Sequence, residues 1–522
     1  MNKFHKLFFL AAVAMAVLSA SCSKETKGVP AFRATSEQAA EQNGKVSLSG
    51  LSLRWSAGDE ISVYDNAANA GVYRLSSGAG TGSGEFAYSS GSSVSAAPYS
   101  AVYPASIRTG AATVSLPAVQ HSANGGLQEL PMYAVGDDMD LKFYHLCGVV
   151  RFSLSASSAV SVSRIAVATD RAVNGSATVS GSGSSVSLST PSGSNVATLA
   201  CQTAQNIASA KDFYIYLPAG TYSSFRVLVT ATDGSVCAKS ANCAVTIERG
   251  KITTITLSSL DFAAHRFSTS SSASVVFSPG NLQYIGSAAT PYWKFADHQW
   301  DCFGRNEQHG SAANKADIDR DLFGWGTSGW DGSGASYFEP WHTTNTSSAY
   351  GPSGEASLVG AYAQADWGVH NAIVGGGNAA ALWRTLTHSE WAYMLNTRSA
   401  NPRFAKAELG GSVSGLVVFP DDYSHPAEVA PLNSTNNTSA SYSSNQLSFS
   451  DWGKMEAAGA VFLPVTGSRS GTSVYYAECG YYWLSTHSSS TNAQVIYFAS
   501  TSMYTNYSTA RSLGCAVRLV RD

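Results

Sequence analysis

GYYWLSTHSSSTNAQVIYFAS (480–500), with CAVRLVRD (515–522) at the chain end, is the stretch on which the fold reading turns. From Gln494 to Ser500 it alternates with period 2. Ile496 and Phe498 point to one face while Val495, Tyr497 and Ala499 project from the other, the pattern of a β-strand with one side buried. A frame, Gly480 to Trp483 on one side and Val517 to Val520 on the other, encloses a segment crowded with Ser, Thr, Asn and Tyr. Tyrosine supplies rigid amphipathic area and the small polar residues supply adaptable hydrogen bonds, so the composition is that of a binding surface. Its expected members are Ser488, Ser489, Ser490, Asn492, Val495, Tyr497, Ala499, Thr501, Ser502, Tyr504, Asn506 and Tyr507. The reading requires Tyr497, Tyr504 and Tyr507 to reach solvent. Arg518, inside the closing frame, is expected to be structural.

Working outward, the chain start has the form of an export signal. Lys3, His5 and Lys6 precede an apolar run from Leu7 to Leu18, and the small residues Ser19, Ala20 and Ser21 lead to Cys22. A Cys after small residues resembles a bacterial lipobox, which implies lipidation at Cys22 and a membrane anchor without a transmembrane helix. The polar stretch that follows is expected to be a tether.

At 522 residues the chain is too long for one core. Only 13% of residues are charged and Tyr (25) outnumbers Phe (21) and Trp (11), a composition suited to an exported, β-rich protein. The net charge of -3, with no Lys/Arg cluster, argues against a nucleic-acid partner. Eight cysteines are too few for a disulfide scaffold at this length, although Cys237 and Cys243 flank a turn and are placed to bridge neighbouring strands. No Cys-x-x-Cys or His-x-x-x-His spacing suggests zinc; no metal and no cofactor is expected.

Short strands punctuated by turns fill the first half. RWSAGDEISVY (54–64) places Trp55, Ile61 and Val63 toward a core with a turn at Ala57-Gly58-Asp59. LKFYHLCGVVRFSL (141–154) buries Phe143, Leu146 and Val149, and FYIYLPAGTY (213–222), FRVLV (225–229) and VTIERGKITTITL (245–257) continue the texture of a β-sandwich. The blocks WSAGDEI (55–61), HLCG (145–148), LPAGTY (217–222) and IERGKIT (247–253), in this order, resemble the fimbrillin-like (Mfa-like) lipoproteins of Gram-negative gut and oral bacteria. That likeness covers roughly residues 31–262. It implies paired Greek-key sandwiches, partnership with other fimbrial subunits by strand complementation, and a place on the outer membrane or in a surface fimbrium. It also makes Arg33 a possible maturation cleavage point.

Beyond Asp261 tryptophan becomes frequent, with ten of the eleven lying between Trp293 and Trp483. Thr387-His-Ser-Glu390 is a capping box, followed by Trp391, Met394 and Leu395 on one face and Arg398 near the C-terminal end. The segments WRTLTHSEW (383–391), VFLP (461–464) with Gly467 and Arg469, GYYW (480–483), and Gly514 with VRLV (517–520) resemble the formylglycine-generating-enzyme-like branch of the C-type lectin fold. Within that branch the chain is similar to ligand-binding proteins diversified by retroelements. Their mutated codons do not yield Lys, Glu, Gln, Met or Trp, and between Leu484 and Val520 only Gln494 and Met503 come from that excluded set.

The expected fold class is therefore mainly β: a signal peptide (1–22), a tether (23–30), two fimbrillin-like sandwiches (31–155 and 156–262) and an α+β C-type-lectin-like domain (263–522). The expected function is a cell-surface adhesin, a fimbrial tip subunit recognising a host or microbial surface protein or glycan. An anchor or stalk structural subunit is the alternative, with a formylglycine-generating-type enzyme ranked behind it. An enzyme is not expected: Cys479 and Cys515 lie far apart in sequence, His342, His370, His388 and His425 lack spaced catalytic partners, and Gly375-Gly-Gly377 lacks the lysine of a phosphate loop.

Overall fold

Trp55 organises the first group of strands. In a computed structural model that describes residues 31–37, 54–123, 126–127, 129–303, 316–344, 346–471, 473–475 and 477–522, it is 3% exposed. Its ring meets Phe86, Tyr103 and Phe143 edge to face at 5.1, 5.2 and 5.9 Å. The indole N–H donates to the Ala34 carbonyl at 3.2 Å, so the one polar atom buried with the ring is paired. The Asp59 carboxylate accepts the Ser56 N–H at 2.7 Å and the Tyr103 hydroxyl at 3.2 Å, closing the turn read from sequence. Around this core run β1 (Phe32–Ser36), β2 (Glu60–Tyr64), β3 (Ala70–Ser77), β4 (Ser83–Gly91), β5 (Tyr99–Tyr103), β6 (Met132–Gly136) and β7 (Asp140–His145). They bond in the closed order β1-β7-β6-β5-β2-β3-β4, so the first expected sandwich takes the form of a barrel.

The next section is two facing sheets. Lys211–Pro218, Cys147–Ala156 and Ile252–Leu260 form one; Val236–Ser240, Phe225–Ala231, Ser161–Thr169, Val196–Asn206 and Val119–Ser122 form the other. Alternate residues of both, including Val150, Phe152, Ile165, Val167, Phe213, Ile215, Val227 and Val229, meet in one core. Val119–Ser122, which sequence groups with the first section, pairs in parallel with Thr198–Cys201 of the second. Cys237 is buried and Cys243 exposed, and both are free thiols, so the bridge suggested by their spacing is not made.

Beyond residue 262 several small sheets are joined by long loops, with helices at Trp367–His370, Phe449–Ala457 and α1 (His388–Ala392). The chain end is tied to this section's beginning, since Phe277 pairs with Val520 and Val276 with Arg521. The capping box forms. The Thr387 hydroxyl accepts the Glu390 N–H while the Glu390 carboxylate accepts the Thr387 N–H at 2.7 Å, and Trp391, Met394 and Leu395 are buried. Arg398 Nε donates to the Met394 carbonyl at 2.7 Å, the C-terminal role its position predicts. Gly376 is a packing residue: its carbonyl accepts the Trp383 indole N–H at 2.7 Å, and a Cβ there would stand 2.6 Å from the Phe295 ring.

A polar chain joins the last two sections. Arg164 reaches the Glu456 carboxylate at 2.8 Å, both side chains being under 10% exposed. Gln299 donates to Glu456 at 3.0 Å and accepts from Arg518 at 2.7 Å. Arg518 is buried, as a structural residue must be, and burial lowers its pKa to about 9. The fold class is mainly β.

Candidate functional site

The segment that opened the reading folds as a three-stranded sheet of β8 (Gly480–His487), β9 (Asn492–Ala499) and β10 (Ser502–Ala510), with β9 in the middle and β10 at the edge. Strand β9 is covered on both faces. Ile496 and Phe498 lie with Tyr482, Leu484 and Met503 in one core. Ala493 and Val495 lie with Trp325, Trp483 and Cys515 in another. The Trp483 and Trp325 indoles donate to the Phe323 and Leu484 carbonyls at 2.6 and 2.8 Å, locking the aromatic frame to the backbone around it.

Register then decides which side chains reach solvent. Val495 pairs with Tyr507, but Tyr497 pairs with Tyr504, so β10 carries one extra residue opposite Ile496. This β-bulge puts Tyr504 and Tyr507, three positions apart, on the same face as Tyr497, where a regular strand would have sent them to opposite faces. The rings gather: Tyr497–Tyr507 centroids are 4.9 Å apart at 27°, Tyr497–Tyr504 6.0 Å at 24°, and Tyr481–Tyr497 5.0 Å at 63°. Tyr504 is 50% and Tyr507 40% exposed, while Tyr497 is half-buried between them and Tyr481. Burial, reinforced by the Cys479 thiol 3.5 Å from its hydroxyl, raises the Tyr497 pKa to about 12, so its phenol stays neutral at physiological pH.

The remaining expected members are unevenly placed. Ser488, Ser490, Thr501 and Asn506 are exposed, and Ser489, Asn492, Ala499 and Ser502 are half-buried. Val495 is a correction: it is fully buried beneath the tyrosines, because β9 is a central strand packed on both faces and alternation there does not separate inside from outside. Between Ser488 and Ala510 no residue carries a formal charge.

Arg511 and Lys406 were not legible as site residues. Arg511 lies under the 488–491 loop, donating to the Ser489, Pro352 and Gly354 carbonyls at 2.6, 2.7 and 3.0 Å and packing over the Trp325 ring. Burial lowers its pKa to about 10. Lys406, from the strand Phe404–Leu409, sits beneath the β9–β10 turn. Nothing local in either sequence context marks them.

Cys22 lies outside the described residues. Arg33 is on β1, exposed, beside Glu85 at 3.8 Å and Asp140 at 3.9 Å, while its neighbour Phe32 is fully buried between Tyr73 and Tyr99. Cys479 and Cys515 are free, and burial pushes the Cys515 thiol well above its ordinary pKa. His342 bonds Glu339 at 2.8 Å, His370 bonds Gln364 at 3.0 Å, and His425 bonds the Tyr423 hydroxyl at 2.9 Å. The His388 backbone N–H donates to the Thr486 hydroxyl at 3.0 Å. Among the described residues no three His, Cys, Asp or Glu side chains are grouped to hold a metal ion.

No protein-family model matches the chain, and no curated protein does. Among solved structures it is similar to a candidate cell adhesion protein from Bacteroides ovatus, at 11% identity and a TM-score of 0.29, over 45% of this chain and 94% of that one. It is similar to the C-terminally truncated tip fimbrial protein Mfa3 from Porphyromonas gingivalis, at 11% identity and a TM-score of 0.22, over 45% of this chain and 99% of that one. A fimbrial protein from Bacteroides ovatus is similar at 9% identity and a TM-score of 0.21, over 94% of this chain and 98% of that one. At such TM-scores the likeness is too loose to carry an argument.

Proposed function

We propose that this chain is a cell-surface adhesin that recognises a surface protein or glycan through the β9–β10 hairpin. One observation carries the reading: a bulge in an uncharged edge strand brings Tyr504 and Tyr507, each about half exposed, beside the half-buried Tyr497 of the central strand. Half-exposed aromatic rings on a rigid base are favourable binding anchors, because little conformational entropy is lost on contact. The edge can vary without disturbing the layer beneath. Recognition of this kind requires no catalytic group and no cofactor.

The resemblance of residues 31–262 to fimbrillin-like lipoproteins supports a place at the tip of a fimbrium, anchored through Cys22 to the outer membrane. Cleavage after Arg33 would withdraw Phe32 from between Tyr73 and Tyr99 and open that slot to a neighbouring subunit's strand. The resemblance of residues 263–522 to retroelement-diversified lectin-fold proteins supports a variable surface on a constant frame.

The test uses the full chain on an array of neutral and acidic glycans and purified host extracellular proteins. Tyr504→Ser/Tyr507→Ser is expected to weaken the array signals of the parent at least about tenfold, as for loss of a binding hot spot. Exchange of residues 484–513 is expected to change which spots respond. Array signals that survive both changes undiminished would refute the proposal.

A further inference from the structure

Lys406 is fully buried, yet no carboxylate pairs with it among the described residues. Its ammonium donates to three backbone carbonyls: Thr438 at 2.7 Å, Ala499 at 2.7 Å and Ser502 at 3.1 Å. An ammonium has three N–H donors, so its hydrogen-bonding capacity is met in full, which is what permits a charged amine to stay buried without a counter-ion. The acceptors are not scattered. Ala499 and Ser502 are the last paired residues of β9 and β10 and flank the turn Ser500-Thr501, so one side chain grips both legs of the hairpin tip.

A second support stands beside it. The Tyr442 hydroxyl lies 3.3 Å from the Phe498 carbonyl and 3.4 Å from that of Glu478, and its ring faces the Lys406 ammonium at 5.9 Å. Thr438 belongs to a loop, NSTNNTSASYS (433–443), that is as uncharged and as rich in Ser, Thr and Asn as the hairpin. The lysine thus holds two such segments side by side.

We propose that Lys406 is the positioning residue of the recognition surface, its ammonium fixing the hairpin tip against the 433–443 loop and thereby setting where Tyr497 and Tyr504 stand. The inference rests on the hairpin being the recognition element. Tyr497 and Tyr504 face each other two residues from the gripped ends, so a loosened tip would disperse their rings before it disturbed the buried frame at β8.

The clamp is pH-sensitive. Burial lowers the Lys406 pKa to about 8. The titratable group that faces its ammonium is Tyr442, which itself lies near Tyr497 and Cys479; the hairpin tip and the loop meet the ammonium through the Ala499, Ser502 and Thr438 carbonyls. Above that pH the neutral amine has two N–H donors for three acceptors, and one leg of the grip is released.

Hydrogen exchange on the full chain tests this without any ligand, so it stands or falls separately from the array. Lys406→Met is expected to raise exchange at amides within 498–503 on the order of tenfold, as for loss of charge-assisted bonds, with 481–484 unchanged. Lys406→Arg, which keeps charge and donors, is expected to recover most of the protection. After correction for intrinsic exchange, the parent should lose tip protection between about pH 7 and 9, and Lys406→Met should show no such step. Tip protection unchanged in Lys406→Met, or lost evenly across the sheet, would overturn the proposal. Should Lys406→Met fail to fold, the parent's pH step and Lys406→Arg decide it: a tip that shows no step while Lys406→Arg protects it normally rejects the clamp.

Discussion

Val495 and Tyr507 face each other across β9 and β10, and the structure assigns them opposite duties. Val495 is fully buried among Trp325, Trp483 and Cys515, whereas Tyr507 is 40% exposed. Val495→Ala removes two methyl groups at about 0.8 kcal/mol each and leaves a cavity in a closely packed layer, a cost of about 2–3 kcal/mol. Tyr507→Ser forfeits the stacked contact with Tyr497, about 0.5–1.5 kcal/mol, together with wider and weaker ring contacts to Tyr481 and Tyr504, and leaves no cavity because water fills the site. At about 2–4 °C per kcal/mol for a section of this size, Val495→Ala should lower the melting midpoint by about 4–12 °C and Tyr507→Ser by about 1–6 °C, the smaller shift at any one conversion. Ten of the eleven tryptophans lie beyond residue 262, so the unfolding transition followed by tryptophan fluorescence reports this section almost alone. Array binding should show the reverse order, with Tyr507→Ser losing signal and Val495→Ala keeping it at temperatures where it is folded. Equal destabilisation by the two substitutions, or binding lost with Val495→Ala alone, would refute the division between base and surface.

Gly480→Ala should destabilise by at least about 1–3 kcal/mol, because a Cβ there would stand 2.1 Å from the Phe498 ring; denaturant titration reads it. At the junction of the last two sections, Glu456→Gln alone should cost about 3–5 kcal/mol by stranding the Arg164 guanidinium, while Arg164→Met/Glu456→Met should recover much of that loss in the same titration. Asp65 provides the acid-side test. Burial opposes its ionisation, but bonds from the Asn69 side chain and from the Ser95, Asn69 and Ala96 N–H groups outweigh it and hold the pKa at about 2. Because the folded value lies below the ordinary one, its contribution is complete above about pH 4 and is lost as pH falls toward 2, so Asp65→Asn should be less stable at neutral pH and show a shallower acid decline in melting temperature.

Features carried by chain neighbours were legible from sequence. The capping box needs only Thr387 and Glu390, three residues apart, and Asp59 closes a turn with Ser56 from the same short stretch. Trp55, Ile61 and Val63 announce their burial by alternation, and the segment from Leu484 to Val520 announces a polar, tyrosine-bearing surface by composition. Closure of the first strands into a barrel, the transfer of Val119–Ser122 to the neighbouring sheet, and the burial of Val495 were decided by partners many tens of residues away. The bulge that aligns Tyr504 and Tyr507 depends on register against β9, and the roles of Lys406 and Arg511 depend on carbonyls brought to them from Thr438, Pro352 and Gly354. Alternation and capping act over a few residues of chain and are written in its order. Which faces are covered, which strand is central and which cation meets which carbonyl are set by packing between distant segments, and only the tertiary structure decides them.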